Sequence, residues 1–265
     1  MAVDEAILDR YSTADPPQAP TLRLYGWNPP ALSLGRGQPA GSAHDARYLA
    51  LEGIDLVRRP TGGRAVLHEA ERTYAVIGRL RAVPFGGGVL ATYAQLALAL
   101  AAGLRRVGLD ALETGRRPAG PARHGPSADP ACFATLSSHE IAVDGRKLVG
   151  SAQLRRRDGF LQHGSIPLRT DPGRLARSVG GAADGAAELR FTDLESALGR
   201  PISAADLDRA LIEGFEESLS VRMEPGQLTP GEQERAVRLR AEKYVDPDWT
   251  LHGRWEGRRP SESCA

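Results

Sequence analysis

The sequence has 265 residues, 41% of them hydrophobic, which is enough to bury a large core. Its 34 basic and 33 acidic residues leave a net charge of +1, and this balance argues against non-specific nucleic-acid binding, which needs a basic face. No apolar run reaches the roughly 18 residues of a membrane span, and the acidic residues 4 and 5 do not fit a signal peptide. We therefore expect a cytoplasmic protein without nucleic-acid or membrane partners.

The first half of the chain predicts a short helix, several strands and one long helix. Apolar residues share one face of a helix over residues 2–11, and β-type runs follow it. The Ala- and Leu-rich residues 91–107, which end at Gly108, predict the longest helix. The predicted strands of this half cover residues 21–25, 31–34, 55–59, 64–67 and 73–77.

A meander of three strands follows, over residues 141–143, 146–154 and 160–168. Asp-Gly pairs at 144–145 and 158–159 are typical of two-residue hairpin turns. If both turns are of this kind, they predict the cross-strand pairs Ala142 with Lys147, Gly164 with Gln153, and Ser165 with Ala152.

Two helices close the chain, in a segment over about residues 201–250. One begins at Ser203 and the other at Thr229, and each start has an acidic residue three positions on, as in a capping box. The polar residues 251–265 are expected to form a loose tail. Meander strands with peripheral helices predict an α+β fold, and we expect a single catalytic domain over residues 1–265.

Residues 58–68 carry the first candidate for chemistry, the run Arg-Arg-Pro-Thr-Gly-Gly-Arg-Ala-Val-Leu-His. Gly62 and Gly63 allow positive φ and leave no Cβ in the way of a ligand. The flanking arginines supply planar donors for carboxylate or phosphate groups. A hairpin turn with solvated arginines is the simpler interpretation of the glycine pair taken alone.

Cys132 and Lys147 form the second candidate. Cys132 follows a loop with four prolines over residues 113–131, whose composition predicts mobility. The thiolate is the reactive form of cysteine, and a nearby cation such as Lys147 lowers the thiol pKa. A buried structural cysteine and a solvated hairpin lysine are the alternatives. Neither Cys132 nor Cys264 has a Cys or His partner at metal-ligand spacing, so we expect no metal.

Together these segments resemble the superfamily of biotin and lipoate ligases and octanoyltransferases. The order Cys132-Phe133, Gly145 to Gln153, then Gln162-His163-Gly164-Ser165 resembles its cysteine-dependent octanoyltransferase branch, and the likeness covers about residues 1–251. The resemblance implies a mixed central sheet flanked by helices. Relatives usually carry a strand before the first helix, which here begins at Met1; if that strand is truly absent, one sheet edge is uncovered.

The resemblance also implies a reaction and its partners. An octanoyl group would pass from acyl carrier protein through a Cys132 thioester to a lipoyl domain, such as the glycine-cleavage carrier protein. We expect no cofactor, and a monomer. Lys147 would lie over the acyl carbonyl. The acyl substrate is expected to contact residues of three segments, namely Arg58, Gly62, Gly63, Arg64, His68, Gly150, Ser151, Ala152, His163 and Gly164.

Three further polar residues receive interpretations. Arg36 is expected to contact the carrier or its pantetheine arm, and a solvated loop arginine is the alternative. Glu71 and Asp129 are interpreted as surface charges.

Two other functions fit the same scaffold. An ATP-dependent lipoate or octanoate ligase would use Lys147 to bind the acyl-adenylate, and Cys132 would be incidental. Arg64 stands where the glycine-rich ligase pattern has a third glycine, which argues against this alternative. An acyl-carrier binding module would need neither Cys132 nor Lys147.

Overall fold

The computed structural model describes residues 1–11, 19–80, 82–110, 112–114, 141–181 and 191–255. The α-helices are α1 (Ala2–Arg10), α2 (Ala46–Leu51), α3 (Val89–Arg106), α4 (Pro172–Ser178), α5 (Leu194–Leu198), α6 (Ala204–Leu219) and α7 (Pro230–Leu239). The strands are β1 (Thr21–Tyr25), β2 (Ala31–Leu34), β3 (Asp55–Arg58), β4 (Val66–His68), β5 (Glu71–Arg79), β6 (Leu112–Thr114), β7 (Ile141–Val143), β8 (Arg146–Arg156) and β9 (Gly159–Pro167). Within these ranges no helix is long and apolar enough to cross a bilayer.

Two sheets organise the strands. The large sheet has the order β1-β5-β9-β8-β7-β6, with every neighbouring pair antiparallel. The small sheet has the order β3-β2-β4, and β2 pairs with β3 in parallel and with β4 antiparallel. The predicted α+β fold, with a central sheet flanked by helices, is confirmed, and the parallel pairing lies in the small sheet.

The short helices α2, α4 and α5 escape the sequence prediction. Each buries only one or two side chains, so its apolar pattern is too short to show a helical period. Asp45, Asp171 and Asp193 cap them, each accepting from a backbone N–H three residues on. Of the two predicted capping boxes, the one at Thr229 is complete. At the other, the Ser203 hydroxyl accepts from the Asp206 N–H and donates to the Asp206 carboxylate. Strand β6 is also new, since its last two residues fall in the predicted loop 113–131.

The second hairpin turns one residue earlier than predicted. Arg156 pairs with Gly159, so Arg157 and Asp158 form the turn, and Arg157 takes the positive φ of 45°. Gly159 is used for packing instead, because an added Cβ would lie 3.0 Å from Leu8 of α1. The register therefore shifts by two residues, and Gly164 lies opposite Ser151 rather than Gln153.

The first hairpin has the predicted turn and one unpredicted bulge. Asp144 and Gly145 both have positive φ, and Ala142 pairs with Lys147 as expected. The next pair is Ile141 with Val149, so the strand carries an extra residue there. Leu148 and Val149 consequently both enter the core against α3. The bulge thereby turns Lys147 to the face that Gly150 and Ala152 share.

The large sheet buries both faces. Tyr74, Phe160 and Ile166 pack with α3 and α6 on one face. On the other face α1 covers Ala75 and Ile77, and the small sheet lies beside it. This second face holds the space that the next section describes.

The C-terminal segment is packed against the rest of the chain as far as Trp255. Lys243 is buried and donates to the Glu5 carboxylate of α1 at 2.7 and 2.8 Å. The Trp249 indole donates to the Arg58 carbonyl at 2.9 Å, and the Trp255 ring lies 4.8 Å from Lys243 Nζ. Residues 251–255 thus contact the rest of the chain, residues 256–265 lie outside the described ranges, and the loose tail stays a prediction.

Gly164 offers a test of the observed register. A Cβ added there would lie 2.3 Å from the Gly150 carbonyl oxygen and 2.5 Å from the Tyr74 ring. We expect Gly164→Ala to lower the free energy of unfolding by about 2–3 kcal/mol in urea titrations, as overpacked cores do. Gly37→Ala is the control, because an added Cβ there meets open space. Equal stability of the two variants would contradict the register.

Candidate active site

A cavity of about 400 Å³, counted to its open mouth, lies between the two sheets. Its floor comes from the large sheet and its roof from the small sheet and the chain after β1. Gly150, Ala152, His163, Ser165 and Thr73 line the floor, and Ser33, Arg59, Val66, His68, Tyr25 and Trp27 line the walls and roof.

The floor follows cross-strand rows of the large sheet. Gly150 pairs with Ser165, Ser165 with Thr73, and Thr73 with Tyr25, so one row crosses β8, β9, β5 and β1. Neighbouring strands lie about 4.8 Å apart, so the distance from Gly150 to Thr73 is roughly 10 Å. The longest dimension of this floor therefore runs across the strands.

Five of the expected acyl-contact residues line this cavity: His68, Gly150, Ala152, His163 and Gly164. Lys147 is 1% exposed and lies on β8 three residues before Gly150, on the same side of the sheet, but it is not itself among the residues that line the cavity. Its carbonyl accepts from the Thr192 N–H at 2.8 Å. Cys132 and Asp129 lie outside the described residues.

Arg58 has a different set of partners from the one expected. It is 1% exposed, and its guanidinium donates five hydrogen bonds, of 2.6 to 3.1 Å, to main-chain carbonyls of residues 35–38 and 250–251. Burial lowers the pKa of Arg58. Arg58 thus fastens the C-terminal segment to the loop after β2. The exposed Arg36 lines a separate basic cleft there with His44, His252 and Arg254.

Ser151 and Gly164 were expected to contact the acyl substrate, but the observed register of β8 and β9 gives their positions other roles. The Ser151 hydroxyl lies 2.7 Å from the Tyr74 hydroxyl, on the face opposite the cavity. Gly164 leaves space for the Tyr74 ring, so its missing side chain serves the core rather than a ligand. Its backbone still lines the cavity.

Arg59, which was not among the expected substrate contacts, holds the Gly-Gly loop. Its guanidinium donates to the carbonyls of Gly62 and Arg64 at 2.9 and 2.6 Å and to the Ser33 hydroxyl at 3.1 Å. Gly63 has φ 98°, and a Cβ added at Gly35 would lie 1.9 Å from its carbonyl oxygen. Gly62 and Gly63 are exposed beside the cavity, and Arg64 Nη1 is buried with no hydrogen-bond partner.

Glu71 is buried, which contradicts its interpretation as a surface charge. Its carboxylate accepts hydrogen bonds from His68 Nδ1 at 2.8 Å and from the hydroxyls of Thr73 and Ser165. Burial acts to raise the pKa of Glu71, but the charge and hydrogen bond of His68 and the two hydroxyls outweigh it and lower the pKa. Glu71 is therefore an ionised acceptor at neutral pH.

Trp27, Thr73 and Ser33 complete this network and were missed by the sequence analysis. The Trp27 indole donates to the Thr73 hydroxyl at 2.8 Å, and its ring stacks on His68 at 4.3 Å. The Ser33 hydroxyl lies 2.7 Å from His68 Nε2. A usable signal was the two-residue period of β5, which puts Glu71, Thr73 and Ala75 on one face.

His163 is a neutral histidine in the floor. Its Nε2 lies 2.6 Å from the Thr61 hydroxyl, and burial lowers its pKa to about 3. Within the described part of the chain, no group of three or more His, Cys, Asp or Glu side chains is arranged to hold a metal ion. The absence of a metal or cofactor stays a prediction.

The buried neutral His163 predicts a pH dependence of stability. Between pH 6.5 and about 3 the unfolded chain binds a proton at this histidine and the folded chain does not. The contribution of neutral His163 to the free energy of unfolding is thus fully present above pH 6.5. It is lost as pH falls, by up to about 1.4 kcal/mol per pH unit. The test is urea titration between pH 6.5 and 5, above the pH range in which carboxylates titrate. The free energy of unfolding of His163→Gln should fall less steeply with pH than that of the parent, by up to about 1.4 kcal/mol per pH unit. Parallel curves would contradict the assignment.

Comparison with known proteins places the chain in a family. Residues 1–216 match the family model described as the lipoyl protein ligase A/B catalytic domain. The octanoyltransferase LipM of Kyrpidia tusciae is 44% identical over 256 residues, covering 94% of this chain and 92% of the relative. That of Symbiobacterium thermophilum is 42% identical over 260 residues, covering 95% and 93%.

Solved structures share the fold. A bi-partite lipoate protein ligase from Thermoplasma acidophilum superposes with a TM-score of 0.77 at 22% identity, covering 97% of this chain and 92% of that one. A lipoate-protein ligase A bound with ATP gives 0.76 at 24% identity, covering 94% and 92%. With the family match and the relatives' identity over nearly the whole chain, this protein belongs to the octanoyltransferase LipM family, within the lipoyl protein ligase A/B catalytic-domain family.

Proposed function

We propose that this protein transfers an octanoyl group from acyl carrier protein to a lysine of a lipoyl domain, through a thioester on Cys132. The family makes it an acyltransferase, and the names of the relatives support octanoyl as the group transferred. The observation that carries the proposal is the cavity floor, which begins at Gly150, three residues along β8 from Lys147, and crosses two strand spacings to Thr73. That distance of about 10 Å is close to the length of an extended octanoyl chain.

The chemistry of the cavity suits an acyl chain. The pKa of His163, about 3, keeps this ring neutral, and Gly150 and Ala152 present only small groups. The carboxylate of Glu71 is turned to its hydrogen-bond donors. An uncharged chain therefore meets few groups that would lose hydration on its binding.

The proposed reaction has two acyl transfers. The Cys132 thiolate forms a bond to the thioester carbonyl carbon, and the bond from that carbon to the pantetheine sulfur breaks. The pantetheine thiolate leaves and takes up a proton. An acceptor lysine, once deprotonated, then forms the carbon–nitrogen bond, and Cys132 departs as a thiolate. The nitrogen releases one of its two protons and keeps the other in the amide. The energy of the first thioester is retained in the second, so no ATP is needed.

Lys147 is proposed to act on the reacting groups directly. The bulge in β8 turns it to the side of the sheet that carries Gly150, three residues further on, where the acyl carbonyl would lie. As an ammonium it would hold Cys132 as a thiolate and stabilise the negative charge that develops on the carbonyl oxygen. Removing one such donor typically costs on the order of 100-fold in rate. The acceptor is expected to be a lipoyl domain such as the glycine-cleavage carrier protein.

The ligase alternative rests on the fold alone. The ligases that superpose on this chain are 22% and 24% identical, whereas the octanoyltransferases reach 44% and 42%. Arg64 also interrupts the glycine run of the ligase pattern. These observations favour transfer from a thioester over activation of a free acid.

Intact mass tests the covalent intermediate. Mixing the protein with octanoyl-acyl carrier protein, without a lipoyl domain, should add the mass of one octanoyl group, and Cys132→Ala should abolish that adduct. The Cys264→Ala variant is the matched control and should acylate like the parent. Turnover without any adduct, or pyrophosphate release from ATP and octanoate that survives Cys132→Ala, would contradict the proposal.

The role of Lys147 predicts the reactivity of Cys132. A thiol normally has a pKa of about 8.5, and a nearby cation lowers it by a unit or more. Alkylation of Cys132 by iodoacetamide should persist toward neutral pH in the parent, and Lys147→Ala should move its midpoint up and slow acylation at least about tenfold. Lys147→Arg should rescue poorly because a planar fork does not replace a compact ammonium.

Cys264 serves as the internal control in the same alkylation experiments. Its alkylation midpoint should be the same in the parent and in both Lys147 variants. A Cys132 midpoint that does not move on removal of Lys147 would refute the activating role.

A further inference from the structure

We propose that Glu71 sets the length of the acyl chain that the cavity accepts, by holding Trp27 and His68 in place as its end wall. The inference rests on the proposed function, since it assigns the cavity to the acyl chain. Glu71 is a positioning residue here, because its carboxylate acts through the side chains that it binds.

The end wall lies at the side of the cavity away from Lys147. Trp27 follows β1 by two residues, and β1 is the edge strand of the large sheet. Its ring stacks on His68 with an interplanar angle of 18° and a centroid distance of 4.3 Å. A chain whose carbonyl lies at β8 therefore meets the Trp27 and His68 rings after crossing β9 and β5.

Both rings depend on the Glu71 carboxylate. His68 is bound directly through its Nδ1, at 2.8 Å. Trp27 is bound through Thr73, whose hydroxyl accepts from the indole at 2.8 Å and donates to Glu71. Because a carboxylate only accepts, it fixes the direction of both hydrogen bonds and so the orientation of both rings.

The network is closed on its other sides as well. Ser165 of the floor donates to the second carboxylate oxygen of Glu71. The Ser33 hydroxyl accepts from Arg59 and lies 2.7 Å from His68 Nε2. The polar atoms of this end thus bind one another. A chain longer than octanoyl would have to displace rings that are tied at several points.

Two variants release the wall by different routes. Glu71→Ala removes the shared acceptor, and Thr73→Val removes the hydroxyl that anchors Trp27 while keeping the side-chain shape. Glu71→Gln is the conservative variant, because its amide oxygen accepts from His68 and Thr73 while its NH₂ donates to Ser165. Glu69→Ala is the matched control, since this nearby carboxylate pairs with Arg174 and does not line the cavity.

Chain-length preference is the measurement. Calorimetry gives the ratio of dissociation constants for octanoyl- and decanoyl-pantetheine thioether analogues, and initial rates give the ratio for the two acyl carrier proteins. Each ratio is measured on one preparation of a variant. Misfolded protein therefore affects the octanoyl and decanoyl values equally and cancels from their ratio. We expect Glu71→Ala and Thr73→Val to raise the relative preference for decanoyl at least about tenfold, because methylene discrimination in an apolar pocket is of this size.

The control variants and the contrary results separate the role of Glu71 from the proposed function. Glu71→Gln and Glu69→Ala should keep the parental preference to within about threefold. Parental ratios in both Glu71→Ala and Thr73→Val, or an equal loss of preference in Glu71→Gln and Glu71→Ala, would overturn the inference. Failure of the parent to transfer any acyl group would refute the proposed function, while the calorimetric ratios, which need no turnover, would still decide the role of Glu71.

Discussion

The hydrogen-bond chain from Arg59 through Ser33 and His68 to Glu71 is the constraint on which the cavity depends. Ser33 and His68 belong to the small sheet, and Glu71 opens β5 of the large sheet. These hydrogen bonds therefore join the two sheets across the cavity while leaving a space between them. The buried charge is tolerated because the Glu71 carboxylate accepts three hydrogen bonds, and loss of one partner would leave another buried group unsatisfied.

The two ends of the cavity are set by different devices. At the β8 end, one extra residue in the strand turns Lys147 away from the α3 core and toward the face that Gly150 and Ala152 share. At the β1 end, two rings are held by hydrogen bonds that converge on Glu71. Between them the floor is built from small or neutral residues, while Arg59 of the wall is turned to the Gly-Gly loop and the Ser33 hydroxyl. Such a floor suits the apolar tail of an acyl substrate.

The sequence predicted the strands well where alternation and turn chemistry agree. β1, β2 and the turn at Asp144-Gly145 follow from local pattern. The turn at Arg157-Asp158 did not, because the packing of α1 on Gly159 decides the register there. Arg58 and Glu71 were misjudged for a related reason: their partners lie far away in sequence or on other strands, and a charged residue in isolation gives no sign of burial.

The central claim is that the acyl chain lies between the two sheets, from Lys147 to Trp27. A crystal structure of the protein loaded with a 7-bromoheptanoyl group tests it directly, because the bromine stands where the terminal methyl of octanoyl would be. The account predicts an anomalous peak against the Trp27 and His68 rings, with the chain over Ala152 and Ser165. A bromine peak on the α3 side of the large sheet, or in the basic cleft beside Arg36, would contradict it.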